Sequence, residues 1–342
     1  MRWLLTVHST ESYCFSMRQT RIKMAGESSV YHCMTRIVGG DFFLEGDRER
    51  EVLRKQIWKV SAFCGVEVLT YCIMSNHFHV LVRTPHEEDV KEVSDKELMR
   101  RVGCIYSADK VDFFRSRLEL GGDIRRNFRA NLLSRMGDIS LFMKELKQRF
   151  SIWYNKSHRR RGTLWGERFK SVLVQDDPFA LMTIAAYIDL NPVRAGIVSD
   201  PVEYRYCGYG EAMGGSKMAR RGIARLVGGR ESWGRVIERY RVIVFGKGYV
   251  RDAVKENRGV DVEKTRKILN EGGKVSQSEA LRCRVRYFSD GAVLGSKEFV
   301  QGYFESHRDR FGAKRRDGPR RMKGSDWGDL TCIRDLRREV FG

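Results

Sequence analysis

The chain lacks the features that mark several common classes of protein. Its 342 residues contain no run of about 18 apolar residues, which excludes a membrane-spanning helix. Its eight cysteines are scattered, and no two have the CxxC-type spacing of a zinc knuckle or ribbon. Nothing resembles the phosphate-binding loop of a helicase or other motor. Scattered free thiols favour a reducing, cytoplasmic location.

Acidic residues are also fewer than basic ones. Lys and Arg number 64 and Asp and Glu 44, so the formal net charge is +20, while 42% of the residues are hydrophobic. That apolar content is enough for a sizeable core and argues against global disorder. A folded chain with this excess of positive charge predicts a polyanionic partner, with nucleic acid the first candidate and an acidic membrane surface the second.

Hydrophobic periodicity predicts a mixed α and β fold in the first two thirds of the chain. The pattern indicates strands at 29–38, 66–73, 77–83 and 169–175 and helices at 47–64, 139–155 and 177–190. The order strand, helix, strand, strand, helix, strand, helix is that of the split βαβ, or ferredoxin-like, fold with one further helix. We therefore predict an α+β domain built on an antiparallel sheet with helices.

Composition divides the chain into three parts. Residues 1–28 are predicted to be a flexible N-terminal extension, residues 29–210 the main domain, and residues 211–342 a mostly helical, basic C-terminal region. A highly charged stretch, residues 86–137, interrupts the main domain and is interpreted as an insertion of loops and helices. The Lys/Arg run at 314–323 predicts a mobile tail that binds DNA without sequence preference.

Two histidines form the sharpest local pattern. His77-Phe78-His79 lies in a predicted strand, where side chains alternate between the two faces. Both imidazoles therefore project to one face, while Phe78, Val80 and Val82 project to the other. Two adjacent imidazoles make half of a site for a divalent cation. The alternative is a pair of half-exposed histidines on the surface of a sheet.

A second pattern lies in the last predicted helix. Tyr187 and Asn191 are four residues apart, so they share one helix face. The tyrosine is a candidate nucleophile, and the asparagine amide oxygen is a candidate metal ligand. The alternative is a core aromatic residue near the C-terminus of a helix. Asp189 lies about 200° around the helix from Tyr187 and is left out of the candidate site.

Together and in this order, the two patterns resemble the REP-associated tyrosine transposases, relatives of the single-tyrosine HUH transposases. The name HUH denotes two histidines that flank a bulky hydrophobic residue, as His77 and His79 do here. The matching stretches are Tyr31-His32, Met74 to Val82, Gly162 to Trp165, Arg168 to Ser171 and Tyr187 to Gly196. The resemblance covers about residues 29–210. The insertion and the C-terminal region are longer than in the smallest family members, so the resemblance does not fix their roles.

The resemblance implies that the chain cleaves single-stranded DNA by transesterification. Tyr187 would attack a backbone phosphate and give a 5′-phosphotyrosine and a free 3′-hydroxyl, which allows the strand to be rejoined without ATP. His77 and His79, with Asn191 as a third ligand, would hold Mg²⁺ or Mn²⁺ to neutralise charge in the transition state. The expected substrate is the hairpin of a palindromic repeat. His32 is interpreted as a structural strand residue, with a ligand role as the alternative.

The resemblance and the net charge also suggest which residues bind DNA. The candidates are basic residues near the matching motifs and one aromatic residue that stacks on an unpaired base. They are Lys23, Arg36, Arg83, Arg159, Arg160, Arg161, Trp165, Arg168, Lys170 and Arg194. For the basic residues the alternative is a solvated surface, and for the tryptophan a place in the core. The family implies a bacterial, nucleoid-associated protein that acts as a monomer or homodimer, without a membrane partner.

Two other functions fit the same fold. One is a nucleic-acid-binding protein that has lost catalysis. The other is a metal-dependent phosphodiesterase that uses water as its nucleophile and leaves no covalent adduct. The presence of His77, His79 and Tyr187 favours the transposase over the inactive binding protein.

Overall fold

The protein is built around a seven-stranded sheet. The computed structural model describes residues 21–24, 26–246 and 262–333. The strands are β1 (Ser29–Arg36), β2 (Glu67–Ile73), β3 (His77–Thr84), β4 (Lys170–Val174), β5 (Val293–Gly295), β6 (Arg320–Arg321) and β7 (Thr331–Cys332). Their order across the sheet is β2-β3-β1-β4-β5-β7-β6, and only β4 and β5 are parallel neighbours. The first four strands have the order of the predicted ferredoxin-like core.

Helices cover both faces of this sheet. Along residues 47–194 the helices are α1 (Asp47–Cys64), α2 (Glu87–Lys91), α3 (Asp95–Gly103), α4 (Ala108–Glu119), α5 (Gly122–Leu133), α6 (Ile139–Ser157), α7 (Pro178–Asp189) and α8 (Asn191–Arg194). Those that follow are α9 (Gly208–Met213), α10 (Lys217–Arg225), α11 (Trp233–Phe245), α12 (Val262–Asn270), α13 (Gln277–Leu281), α14 (Arg286–Asp290) and α15 (Lys297–Ser306). In the described part of the chain, no helix combines the length and the apolar character needed to cross a membrane.

Two helices show how local sequence sets the boundaries. Leu53 and Ile57 of α1 are fully buried, as its apolar stripe predicts. Gly65 follows with φ +66°, a left-handed conformation that glycine adopts without strain and that ends the helix. At the start of α7, the Asp177 carboxylate accepts hydrogen bonds from two backbone N–H groups and Pro178 takes the first helical position, as predicted.

Strand register decides which side chains share a face. In the antiparallel pair of β1 and β3, Met34 lies opposite His79. Directly opposed residues point to the same face, so His32, two residues before Met34, joins His77 and His79 there. Phe78 is fully buried on the opposite face, as predicted. Helix α7 packs over β2 and β3, and α1 packs with α6 and β2.

The described part of the C-terminal region contains helices α10 to α15, and it also extends the sheet. Strand β5 runs parallel to β4 and pairs Leu173 with Val293. Strands of two or three residues are too short to show a recognisable alternation of apolar and polar residues in the sequence. The prediction of a mobile tail at 314–323 is wrong, because Arg315 donates hydrogen bonds to the carbonyls of Gly318 and Ile333 and β6 pairs with β7.

The predicted N-terminal extension, residues 1–28, lies largely outside the described residues. In the described part, the Arg21 guanidinium donates a hydrogen bond to the Phe169 carbonyl at 2.9 Å. The Cζ atom of Arg21 also lies 3.5 Å from the centroid of the Phe169 ring. Arg21 therefore contacts the main domain, and the flexibility of the extension stays a prediction.

Candidate active site

A cleft of about 860 Å³ opens beside the two histidines of β3. Its walls come from β1, β3, α7, α8 and the C-terminal region. His77, His79, Tyr187 and Asn191 all line it. The structure therefore brings together the four residues that the sequence predicted as nucleophile and metal ligands.

Hydrogen bonds define which nitrogen of His79 carries the proton. A carbonyl oxygen only accepts, so His32, whose Nδ1 lies 2.8 Å from the Phe288 carbonyl oxygen, carries its proton on Nδ1. The Nε2 atom of His32 then accepts a hydrogen bond from Nδ1 of His79 at 2.9 Å. The lone pair on Nε2 of His79 therefore stays available to a ligand.

The same logic applies to His77. Asn76 donates from Nδ2 to the Gly40 carbonyl at 3.2 Å, so its Oδ1 is the atom that accepts from Nδ1 of His77 at 2.6 Å. Burial lowers the pKa of His77 to about 4 and, with the neighbouring histidines, holds the pKa of His79 well below its usual value. Both imidazoles are therefore neutral near pH 7 and offer Nε2 lone pairs, which is the state that metal binding requires.

Tyr187 lies near the end of α7 with aromatic and cationic neighbours. Its ring centroid is 6.3 Å from those of His32 and His79 and 5.1 Å from that of Phe288. The Cζ atom of Arg194 lies 4.1 Å from the same centroid, which places positive charge beside the phenol. No hydrogen bond to the Tyr187 hydroxyl is found among the described residues.

Asp189 anchors the opposite side of α7. Its carboxylate is fully buried and accepts hydrogen bonds from the hydroxyls of Thr70 at 2.9 Å and Tyr240 at 2.5 Å and from the backbone N–H of Tyr209 at 3.2 Å. Burial raises the pKa of Asp189 to about 7, and these hydrogen bonds act in the opposite direction. The anchor joins α7 to β2, α9 and α11, and so fixes the face on which Tyr187 meets the cleft.

Asn191 offers the third donor atom of the predicted metal site. Its Nδ2 atom donates to the Ile188 carbonyl at 2.8 Å, which leaves Oδ1 for other interactions. Two imidazole nitrogens and an amide oxygen suit a divalent ion that fills its remaining positions with water or phosphate oxygens. Across the described ranges, no cluster of three or more His, Cys, Asp or Glu residues forms a metal site, so the set depends on the amide.

Four of the ten predicted DNA-binding residues line the cleft. Arg36 and Arg168 are exposed, and neither has an ion pair within the described part of the chain. Lys170 also lines the cleft with 58% of its side chain exposed, and its ammonium group pairs with Asp290 at 3.1 Å. Arg194 is the fourth, with its guanidinium against Tyr187. These side chains surround the candidate catalytic residues with positive charge.

Two of the other predicted residues are committed to carboxylates elsewhere. Lys23 pairs with Asp138 at 2.6 Å. Arg83, at the far end of β3, pairs with both Glu67 and Asp176 at 2.7 Å. Neither residue lines the cleft, so the structure does not bring them into the candidate site.

The remaining predictions lie around the turn after α6. Arg159, Arg160 and Arg161 are outside the cleft, and the Arg160 guanidinium donates to the Thr163 carbonyl at 2.9 Å. Trp165 is 8% exposed, and its indole N–H donates to the Lys147 carbonyl at 3.1 Å. The indole ring therefore belongs to the core rather than to a surface on which a base stacks.

Sequence reasoning missed two parts of the site. The first is a set of four arginines of the C-terminal region that line the cleft, Arg266, Arg282, Arg284 and Arg286. The alternation of arginine with apolar residues over 281–287 is a signal that would have drawn attention to three of them. The second is the contact of His32 with His79. His32 also donates to the backbone carbonyl of Phe288, which is distant in sequence, and no sequence motif indicates that contact.

No protein-family model and no curated protein matches the chain. Among solved structures, the chain is similar to a REP-associated tyrosine transposase bound to a REP hairpin, with 15% sequence identity and a TM-score of 0.36. The match covers 59% of this chain and 88% of that chain.

Proposed function

We propose that the protein is a metal-dependent tyrosine transposase, a single-strand DNA endonuclease and strand transferase that cuts and rejoins hairpin DNA. The observation that carries this proposal is the meeting, in one cleft, of His77 and His79 from β3, Tyr187 from α7 and Asn191 from α8. The resemblance of these residues and of the motifs around them to the HUH transposases supports the same reaction.

The reaction exchanges one phosphate ester for another. The Tyr187 phenol loses its proton and its oxygen bonds to phosphorus, while the bond to the 3′ oxygen breaks and that oxygen gains a proton. Attack of a 3′-hydroxyl on the phosphotyrosine reverses the step and rejoins DNA, so no ATP is needed. A divalent ion held by His77, His79 and Asn191 would polarise a phosphate oxygen and neutralise developing charge. Arg194 contributes a fixed positive charge beside the phenol.

The charge of the cleft supports a nucleic-acid substrate. Eight basic and two acidic side chains line it, so a polyanion is favoured there. A phosphate in a stacked duplex would have to leave the helix to reach Tyr187, and the chain has no motor motif to open one. The proposed substrate is therefore a single strand beside a hairpin.

A denaturing gel tests this function. The probe is a labelled hairpin with randomised single-stranded flanks, so that the required target sequence is present without being known. We expect a covalent protein–DNA adduct in Mn²⁺ that EDTA prevents. Tyr187→Phe should lose the adduct but keep DNA binding, whereas the matched control Tyr154→Phe should keep both.

Three other results would contradict the proposal in distinct ways. Binding with neither adduct nor cleavage identifies an inactive binding protein. Cleavage without an adduct identifies a phosphodiesterase that uses water. Equal cleavage of the same sequence as a perfect duplex identifies a duplex nuclease.

A further inference from the structure

The C-terminal region contributes a row of arginines to the cleft. Arg282, Arg284 and Arg286 line the cleft, and Arg266 of α12 lines it with them. The residues between the members of the row, Cys283 and Val285, are buried. Buried Cys283 and Val285 therefore hold the segment in the core, while the arginines beside them line the cleft.

Hydrogen bonds from the candidate active site hold both ends of this row. Before it, the Arg194 guanidinium donates to the Leu281 carbonyl at 2.8 Å. After it, Nδ1 of His32 donates to the Phe288 carbonyl at 2.8 Å. The backbone that carries Arg282, Arg284 and Arg286 is thus held near Tyr187 before any ligand arrives, which lowers the entropic cost of binding one.

The arginines have few anionic partners in the protein. Arg286 lies 3.6 Å from Asp290, and its Nε atom is buried without a hydrogen-bond partner. Arg266 and Arg284 are exposed, and neither forms an ion pair in the described ranges. Guanidinium groups that repel one another and lack carboxylates are stabilised by an anion bound between them.

We propose that Arg266, Arg282, Arg284 and Arg286 form a phosphate-binding wall that holds a single DNA strand next to the phosphate attacked by Tyr187. This inference rests on the proposed function, which supplies the strand. It gives the C-terminal region a direct part in substrate binding. Guanidinium forks match phosphate oxygens in pairs, so such a wall binds the backbone without reading its sequence.

The test measures binding separately from cleavage. In a Tyr187→Phe background the DNA stays intact, and anisotropy of a labelled single-stranded oligonucleotide gives the affinity between 50 and 200 mM salt. The test variant is Arg266→Gln with Arg284→Gln, because both side chains are exposed and their loss leaves no carboxylate unpaired. The matched control is Arg221→Gln with Arg235→Gln, two exposed arginines of α10 and α11 that do not line the cleft.

We expect the test pair to weaken binding by about tenfold at intermediate salt. The slope of log affinity against log salt should fall by about 1.4, since each phosphate contact on single-stranded DNA contributes about 0.7. The control pair should change neither. If the test and control variants are both folded and the test variant has unchanged affinity and salt slope, the proposed phosphate-binding wall is contradicted, even if the wild-type protein forms its adduct. A protein that binds the strand through the wall but never forms an adduct would instead reject the proposed function alone.

Discussion

The cleft and the insertion are both rich in charge but use it differently. The insertion holds 11 Lys and Arg and 10 Asp and Glu residues, whereas eight basic and two acidic residues line the cleft. In the insertion the charges face one another, as where Arg125 and Arg129 share Asp95 at 2.6 and 3.1 Å. In the cleft, Arg36 and Arg168 have no such partner within the described residues.

The difference shows why net charge alone does not locate a binding surface. An arginine that already pairs with a carboxylate must give up that contact to bind a phosphate, so its charge adds little to DNA affinity. An unpaired arginine beside a candidate active site gains a partner when the strand arrives. We therefore expect the unpaired charges that line the cleft to control DNA binding and chemistry. Charges that are paired or buried within the protein should instead control its stability.

The largest expected effect is the difference in reaction rate between replacing a histidine of the cleft and replacing a histidine of the insertion. His77→Ala or His79→Ala should slow adduct formation by about 1000-fold or more, because the proposed metal site would lose a ligand. His86→Ala, in an exposed residue at the start of α2, should leave the rate within about twofold. The measurement is the initial rate of adduct formation in Mn²⁺ for variants with melting temperatures near wild type. Equal rates in His79→Ala and wild type would remove the histidines from the mechanism.

The second effect concerns Asp189, a charge that faces the protein. Its folded pKa of about 7 lies above the ordinary value of 3.8, so between those values the folded state holds a proton that the unfolded state has lost. The free energy of unfolding therefore falls as pH rises, by about 3 kcal/mol from pH 5 to pH 8. Asp189→Asn should abolish this pH dependence of the free energy of unfolding. Urea unfolding of both proteins across that range checks it, and parallel pH profiles would contradict it.

The third effect tests how the cleft histidines are oriented. His32→Leu removes the acceptor for Nδ1 of His79 and should weaken Mn²⁺ binding about 10- to 100-fold. His32→Gln can place an amide oxygen where Nε2 stood and should restore part of the affinity. Calorimetric Mn²⁺ titration in a Tyr187→Phe background with bound single-stranded DNA gives the readout. If leucine and glutamine behave alike, the acceptor has no role in setting the tautomer.

The smallest effect compares the two sets of arginines directly. Arg36→Gln with Arg168→Gln should weaken single-strand binding by about tenfold and reduce the salt slope by about 1.4. Arg100→Gln with Arg126→Gln, whose partners are Glu97 and Asp123, should change binding by less than about twofold. Fluorescence anisotropy at several salt concentrations measures both. A similar loss in both pairs would mean that the two regions use their charge in the same way.

The core of the main domain could be predicted because its signals are local. The apolar stripe of α1 and the glycine that ends it stand next to each other in sequence, and the observed bounds, Asp47–Cys64, are those predicted. The alternation in β3 likewise indicated that His77 and His79 share a face opposite Phe78, and the register agrees. The meeting of Tyr187 with these histidines followed from the family resemblance rather than from periodicity.

The rest depends on contacts between distant parts of the chain. Strand β5 exists because it pairs with β4, and three residues carry too little pattern to show this alone. The bond between His32 and Phe288 joins residues 256 positions apart. Arg284 lines the cleft because the C-terminal segment that carries it is held there by such long-range contacts. Composition described the C-terminal region as basic and helical but could not show that it reaches the candidate active site.

The most direct test of the account is to find which residue becomes joined to DNA. Trypsin cleavage after Lys170 and Arg194 gives a peptide, residues 171–194, in which Tyr187 is the single tyrosine. The adduct is trimmed with nuclease, digested and analysed by mass spectrometry. We predict that this peptide carries the added nucleotide phosphate. A phosphate attached at Tyr154 or Tyr204, or cleavage of the strand with every tyrosine unmodified, would contradict it.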